Sequence, residues 1–111
     1  DSVMPPVLGS NDAKDPLKWV PTFANPLYGY PIVGYTNLIF SQCYKDAGDS
    51  VRIRNFLNRH NIGINNAAVS SHSFIPVSVT WQKAIYDNFF AAASSLRVGE
   101  PNTCNGIGRP L

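Results

Sequence analysis

The chain has little charge, and only 14% of its 111 residues are Asp, Glu, Lys or Arg. The net charge is +2 and the nine basic residues are scattered, so nothing predicts a nucleic-acid partner. Long hydrophobic runs are missing too. No stretch approaches the roughly 20 apolar residues needed to cross a bilayer, so no membrane span is expected. Histidine occurs twice, at His60 and His72, and neither has a cysteine or carboxylate at ligand spacing, so the residues name no metal site and no cofactor. Gly106-Ile107-Gly108 lacks the strand before it and the helix after it that a dinucleotide loop needs, and reads as terminal coil. What is present is ordinary for a folded protein. At 44% hydrophobic residues the chain is no disordered segment, and its length suits one domain.

Cysteine is equally scarce. Cys43 and Cys104 can be two reduced core thiols or one bridge. The even count, the absence of Cys-x-x-Cys, and the place of Cys104 in a polar, glycine-rich tail favour a bridge. That bridge would close a loop of about 60 residues, contribute roughly 4 kcal/mol, and imply an oxidising compartment.

Proline is unevenly spread. Six of nine prolines (Pro5, Pro6, Pro16, Pro21, Pro26 and Pro31) fall in the first 31 residues. Each removes a donor and restricts the residue before it, so residues 1–29 are expected to be strands and loops without helix. Val3-Met4 and Lys18-Trp19-Val20 are short extended candidates, and Gly9-Ser10-Asn11-Asp12 is a turn. This opening offers little periodic apolar surface and suits a segment that completes another sheet.

Residues 30–44 are rich in β-branched and aromatic side chains and predict a long buried strand. Pro31 fits at its start, and Gly34 suggests a bulge. Alternation blurs at Leu38, Ile39 and Phe40, which predicts burial on both faces and hence an α/β fold. A helix is expected over 49–61, capped by Asp49 or Ser50, with Ile53, Phe56, Leu57 and His60 buried and Asn61-Ile62-Gly63 as its stop. A short helix follows over 67–72, capped by Asn65 or Asn66. The second long helix is expected over 78–98, with Ser78 as cap, Gly99 as stop, and Trp81, Ala84, Ile85, Asn88, Phe89, Ala92 and Leu96 on one stripe. Residues 99–111 read as an irregular tail anchored by Cys104.

No catalytic residue emerges. The seven acids fall mostly in turns or caps. Arg52 and Arg54 lie about 200° apart on a helix, so with Arg59 they make no phosphate clamp. Ser70 and Ser71 beside His72 do not make a nucleophile and base, because neighbours on a helix do not face each other and no orienting acid is near. His60, near a helix end, suits a packed or dipole-complementing role.

The run Gly29-Tyr30-Pro31-Ile32-Val33-Gly34-Tyr35-Thr36-Asn37-Leu38-Ile39-Phe40-Ser41-Gln42-Cys43-Tyr44 resembles the C-terminal part of the DING-type phosphate-binding proteins. These are relatives of the solute-binding components of phosphate ABC transporters. The likeness continues through Asn65-Asn66-Ala67-Ala68, Ser73-Phe74-Ile75-Pro76-Val77, Trp81 and Cys104-Asn105-Gly106-Ile107-Gly108-Arg109-Pro110, and so covers nearly the whole chain. It implies a two-lobed α/β fold of the type II periplasmic-binding-protein kind, with phosphate clamped between the lobes and this chain completing the first lobe. It also implies that Cys43 pairs with Cys104.

Such proteins are roughly three times longer, a size suited to two domains. Their Asp-Ile-Asn-Gly opening is missing here, so Asp1-Ser2-Val3-Met4 looks like an internal start. The family's Ser-Gly-Thr-Thr phosphate segment is missing too, and no phosphate ligand carries over to any residue of this chain. The resemblance therefore implies a structural role. The chain would associate noncovalently with the N-terminal chain of the same protein, secreted or periplasmic, and inorganic phosphate would bind through the upstream portion. Alternatives are phosphatase-like activity of the complete assembly, and a free-standing interaction module made by processing.

Overall fold

Helix α1, Ala47–Asn61, starts where Asp46 can cap it. The Asp46 carboxylate accepts from the backbone N–H of Gly48 (2.6 Å) and of Asp49 (3.2 Å), satisfying two donors that the first turn leaves free. The helix thus begins two residues before the expected 49–61, and neither Asp49 nor Ser50 is the cap. Asp49 instead pairs with Arg52 at 2.6 Å, one turn on. The buried stripe is Ser50, Leu57 and Asn61, while Phe56 is 73% exposed and His60 is exposed. Of the expected face, Leu57 is buried and Ile53 half-buried, while Phe56 and His60 are turned out and Ser50 and Asn61 stand inside in their place. Polar contacts set the rotation: Ser50 sits under Gly99, and Asn61 Nδ2 donates to Gln82 O at 3.0 Å. Gly63, at φ +86°, ends the turn that follows. The structure is a computed structural model that describes residues 9–19 and 34–110.

Helix α2, Asn66–Ser71, leads through an extended link to α3, Val79–Ile85, which continues as a π turn, Tyr86–Phe90. The single helix expected over 78–98 stops there. The widened turn lets Ala91 N–H donate to Tyr86 O (2.9 Å), and Ala91 itself turns extended. The chain then folds back. Ser94 Oγ donates to Asn88 O (2.5 Å) and Val98 N–H to Phe89 O (3.0 Å), satisfying carbonyls at the helix end and leaving Val98 with no exposed surface. Burial of Val98 outweighs the apolar spacing of Ala92 and Leu96, both of which are exposed.

The proline-dense opening is not helix-free. Two 3-10 turns, Asp12–Lys14 and Pro16–Lys18, occupy the described part of it. Pro16 stands at the first helical position, where its missing donor costs nothing, and Asp15 caps the turn by accepting from Leu17 N–H. Lys18-Trp19 is consequently not extended. Trp19 Nε1 donates to Asp12 O (2.8 Å), and the Trp19 ring meets Trp81 and Phe89 edge to face at 5.6 and 5.7 Å. Asn88, buried, donates to both Ala84 O (2.8 Å) and Ala13 O (2.7 Å), so one amide ties the opening to α3. Val3-Met4, Val20 and the remaining early prolines lie outside the described residues.

The expected long buried strand over 30–44 does not form in this chain. Residues 30–33 lie outside the described residues, and 34–43 have no strand pairing. Leu38 and Ile39 are 65% and 92% exposed. A strand buried on both faces needs a ladder partner and two covering layers. Among the described residues only one side is covered, where Phe40 meets Phe89 at 5.7 Å. The one β feature among them is a parallel bridge between Tyr44 and Arg109. An α/β sheet is therefore not assembled from these residues alone.

That bridge belongs to the tail, which is more ordered than expected. Pro101–Cys104 forms a short helix, α4, and Cys104 is bonded to Cys43. Around the disulfide, Gly99 N–H donates to Gln42 O (2.8 Å), Arg109 N–H to Cys43 O (3.1 Å) and Lys45 N–H to Arg109 O (2.8 Å). Gly108, at φ +131°, lets the backbones approach: a Cβ there would overlap the Cys43 carbonyl. Gly106, at φ +75°, faces open space. Gly108→Ala is expected to cost about 3 kcal/mol, backbone strain and overlap together, against about 1 kcal/mol for Gly106→Ala. Urea unfolding of the two variants checks the order, and equal midpoints would mean the tail does not need this close approach.

Candidate functional site

An open, shallow apolar trough of about 310 Å³ is lined by Leu38, Ile39, Phe40, Gln42, Phe89 and Leu96. Its floor is the Phe40–Phe89 contact. Its far end is fixed by Gln42, whose Nε2 donates to Ser95 O (2.8 Å) and more weakly to Arg97 O (3.4 Å). The trough is part of a wider imbalance. Fourteen large hydrophobic side chains are exposed among the described residues, against six buried hydrophobic ones. Apolar side chains left open in such number mark an interaction face.

The residues weighed for chemistry do not converge. Among the described residues no group of three His, Cys, Asp or Glu could hold a metal ion. His60 Nδ1 faces Asn65 Nδ2 at 3.4 Å, on the surface. Ser71 Oγ does approach His72 Nδ1, at 3.4 Å, closer than helix geometry suggests for neighbours. Its hydroxyl proton, however, is directed to Ala68 O at 2.8 Å, so the imidazole is not placed to take it. Arg52 is held by Asp49, and Arg54 Nη1 donates to Val98 O (3.0 Å), so the two guanidiniums diverge. Cys43 and Cys104 are joined, and no free cysteine stands among the described residues.

No family model matches the chain. It is 50% identical over 111 residues to alkaline phosphatase L of Pseudomonas aeruginosa, an alignment covering 98% of this chain and 30% of that protein. It also matches the solved structure of a high-affinity periplasmic phosphate-binding protein, PfluDING, bound with phosphate, at TM-score 0.84 and 39% identity. That match covers 99% of this chain and 32% of the other. The chain is a homologue of the DING phosphate-binding proteins. A phosphate-binding protein from Stenotrophomonas maltophilia matches at TM-score 0.78 and 42% identity, over 95% of this chain and 31% of its own. The chain thus spans about a third of the length of the DING relatives it matches.

In this DING homologue the trough was not legible as a site in advance. Its one available signal was the uncharged run Leu38-Ile39-Phe40, which also reads as core. Among the described residues Glu100 is the one group whose titration is displaced: hydrogen bonding from Thr103 N–H (2.7 Å), with help from Asn102, holds its carboxyl below the ordinary glutamate range. A depressed folded-state pKa means that the cap's contribution is present above the unfolded pKa and is lost as pH falls through the folded one. Amide exchange at Thr103 is expected to quicken on acidification below the ordinary glutamate range. Glu100→Gln should flatten that response, and an unchanged pH profile would remove Glu100 as its source.

Proposed function

We propose that the chain is the C-terminal segment of a two-lobed phosphate-binding protein, completing its first lobe, while the phosphate contacts lie in the upstream portion. The observation that carries this reading is the coverage: nearly all of this chain aligns, at 38 to 50% identity, with about a third of each longer relative. The local electrostatics support it. A phosphate site needs helix N-terminal N–H groups and cations aimed at one point. Of the helix N-termini here, that of α1 is occupied by the Asp46 carboxylate and that of α4 by Glu100, both of which repel an anion, while those of α2 and α3 carry no side-chain cap. The role of this chain is then structural, held noncovalently by the N-terminal chain of the same protein. A bridge between Cys43 and Cys104 and a periplasmic relative support a secreted or periplasmic setting.

A second reading, phosphate-ester hydrolysis by the complete assembly, is favoured by the name of the P. aeruginosa relative. Native mass spectrometry, followed by calorimetric titration with inorganic phosphate, separates these readings. A second, larger chain is expected to travel with this one, the pair binding phosphate and this chain alone binding none. Phosphate binding by the 111-residue chain alone would overturn the structural role. Release of phosphate from a monoester by the assembly would move the hydrolytic reading to first place. A chain that is folded and unaccompanied would be a free-standing interaction module.

A further inference from the structure

We propose that Asn105 is a site of spontaneous deamidation, and that the isoaspartate formed there unfastens the end of the tail from Cys43 while the disulfide stays closed. Asn105 alone among the asparagines of the chain precedes a glycine. The reaction requires the backbone nitrogen of the next residue to reach the asparagine Cγ, and a Cβ on that residue stands in the way. Gly106 has none, and the space where one would stand is empty out to 4 Å. The two residues are the exposed centre of a tight turn, closed by Ile107 N–H donating to Cys104 O (2.6 Å). No hydrogen bond among the described residues engages Gly106 N–H or the Asn105 side-chain amide, so both reacting groups are free to meet. Elsewhere the nitrogen is held or shielded. Ile62 N–H, after Asn61, donates to Asn58 O (2.9 Å), Asn66 N–H, after Asn65, to Gly63 O (3.0 Å), and Thr103 N–H, after Asn102, to Glu100 Oε2 (2.7 Å). Asn37 precedes Leu38, whose branched side chain crowds the approach.

The conversion needs only water. Gly106 N gives up its proton to solvent base and bonds to Asn105 Cγ; the Cγ–Nδ2 bond breaks, and Nδ2 leaves as ammonia with a proton from water. The cyclic imide then takes up a water molecule. Opening at the Cγ–N bond leaves aspartate. Opening at the main-chain carbonyl leaves isoaspartate, in which the backbone runs through Cβ and Cγ and is longer by an atom. Either product carries a new negative charge. The added atom falls inside the turn on which the tail's hold depends. Just past the turn, Arg109 N–H donates to Cys43 O (3.1 Å), Arg109 O accepts from Lys45 N–H (2.8 Å), and the Gly108 backbone lies against the Cys43 carbonyl. These contacts require the turn to return the chain at a fixed offset from Cys104, which the disulfide pins to Cys43. A lengthened backbone shifts that offset, and a plain aspartate does not.

The test incubates the 111-residue chain and the complete protein from its source at mildly alkaline pH, disulfide intact, and maps their peptides by mass spectrometry. Conversion is expected at Asn105 ahead of every other asparagine, seen as an acidic shift on isoelectric focusing and as isoaspartate labelled by an isoaspartyl methyltransferase. Gly106→Ala should slow it at least about tenfold. Hydrogen exchange at Lys45 and Arg109 is expected to quicken at least about tenfold in the isoaspartyl form and to stay unchanged in freshly purified Asn105→Asp. Conversion at another asparagine first, or none at Asn105, would overturn the site. Conversion in the isolated chain and not in the complete protein would overturn it for the working molecule. Equal exchange in the isoaspartyl and unconverted forms would overturn the unfastening.

Discussion

Reduction of the Cys43–Cys104 bridge, or its replacement by Cys43→Ser with Cys104→Ser, is expected to lower the melting temperature of the isolated chain by roughly 15 °C or more. The two cysteines are 61 residues apart, and releasing a loop of that length returns about 4 kcal/mol of entropy to the unfolded chain. A chain of this size holds about 5 to 15 kcal/mol in total, and fourteen exposed large apolar side chains place this one toward the low end. The bridge also fastens two segments that nothing else joins as firmly. The bonds from Gly99 to Gln42, from Arg109 to Cys43 and from Lys45 to Arg109 all run between the same stretches, and all loosen together. Far-UV melting with and without a phosphine reductant makes the measurement. A shift of only two or three degrees would mean that the Gly108 approach and those backbone bonds hold the tail unaided.

How far such features could be read in advance depended on how local their causes are. Trp81, Ala84 and Asn88 fall on one stripe because helical spacing decides it, and all three are buried. The stop at Gly63 is equally local, a glycine at positive φ. The end at Phe90 of the π turn that continues α3 is not. Ala92 and Leu96 continue the apolar spacing, and the helix yields because Val98, eight residues on, enters the core and returns its N–H to Phe89 O. The rotation of α1 has a similar origin in Ser50 and Asn61, small and polar residues that a count of apolar positions passes over. The second 3-10 turn of the opening came from one position rather than from proline density, since Pro16 as a first helical residue favours what an interior proline forbids. For Leu38, Ile39 and Phe40 the sequence signal was burial. Burial is a property of whatever covers them, and among the described residues only Phe40 finds a cover, in Phe89.

Trp81→Ala is expected to destabilise the chain by about 3 to 5 kcal/mol, the usual range for emptying a buried indole site. Trp81 is 9% exposed, and its ring meets Trp19, which in turn meets Phe89, so the cavity would open at the centre of the aromatic cluster. The damage should spread toward the N-terminus. The opening is held to α3 through the Trp19 stack, through Trp19 Nε1 on Asp12 O, and through Asn88 on Ala13 O, and the first of these loses its partner surface. Trp81→Phe keeps an aromatic edge for Trp19 and should cost less than half as much. Urea unfolding gives the free energies, and the fluorescence of Trp19 reports the local effect, shifting to longer wavelength as the ring meets water. If Trp81→Ala cost under about 1 kcal/mol with Trp19 emission unmoved, the aromatic cluster would not be what joins the opening to α3. The Asn88 amide would then be the tie that holds it.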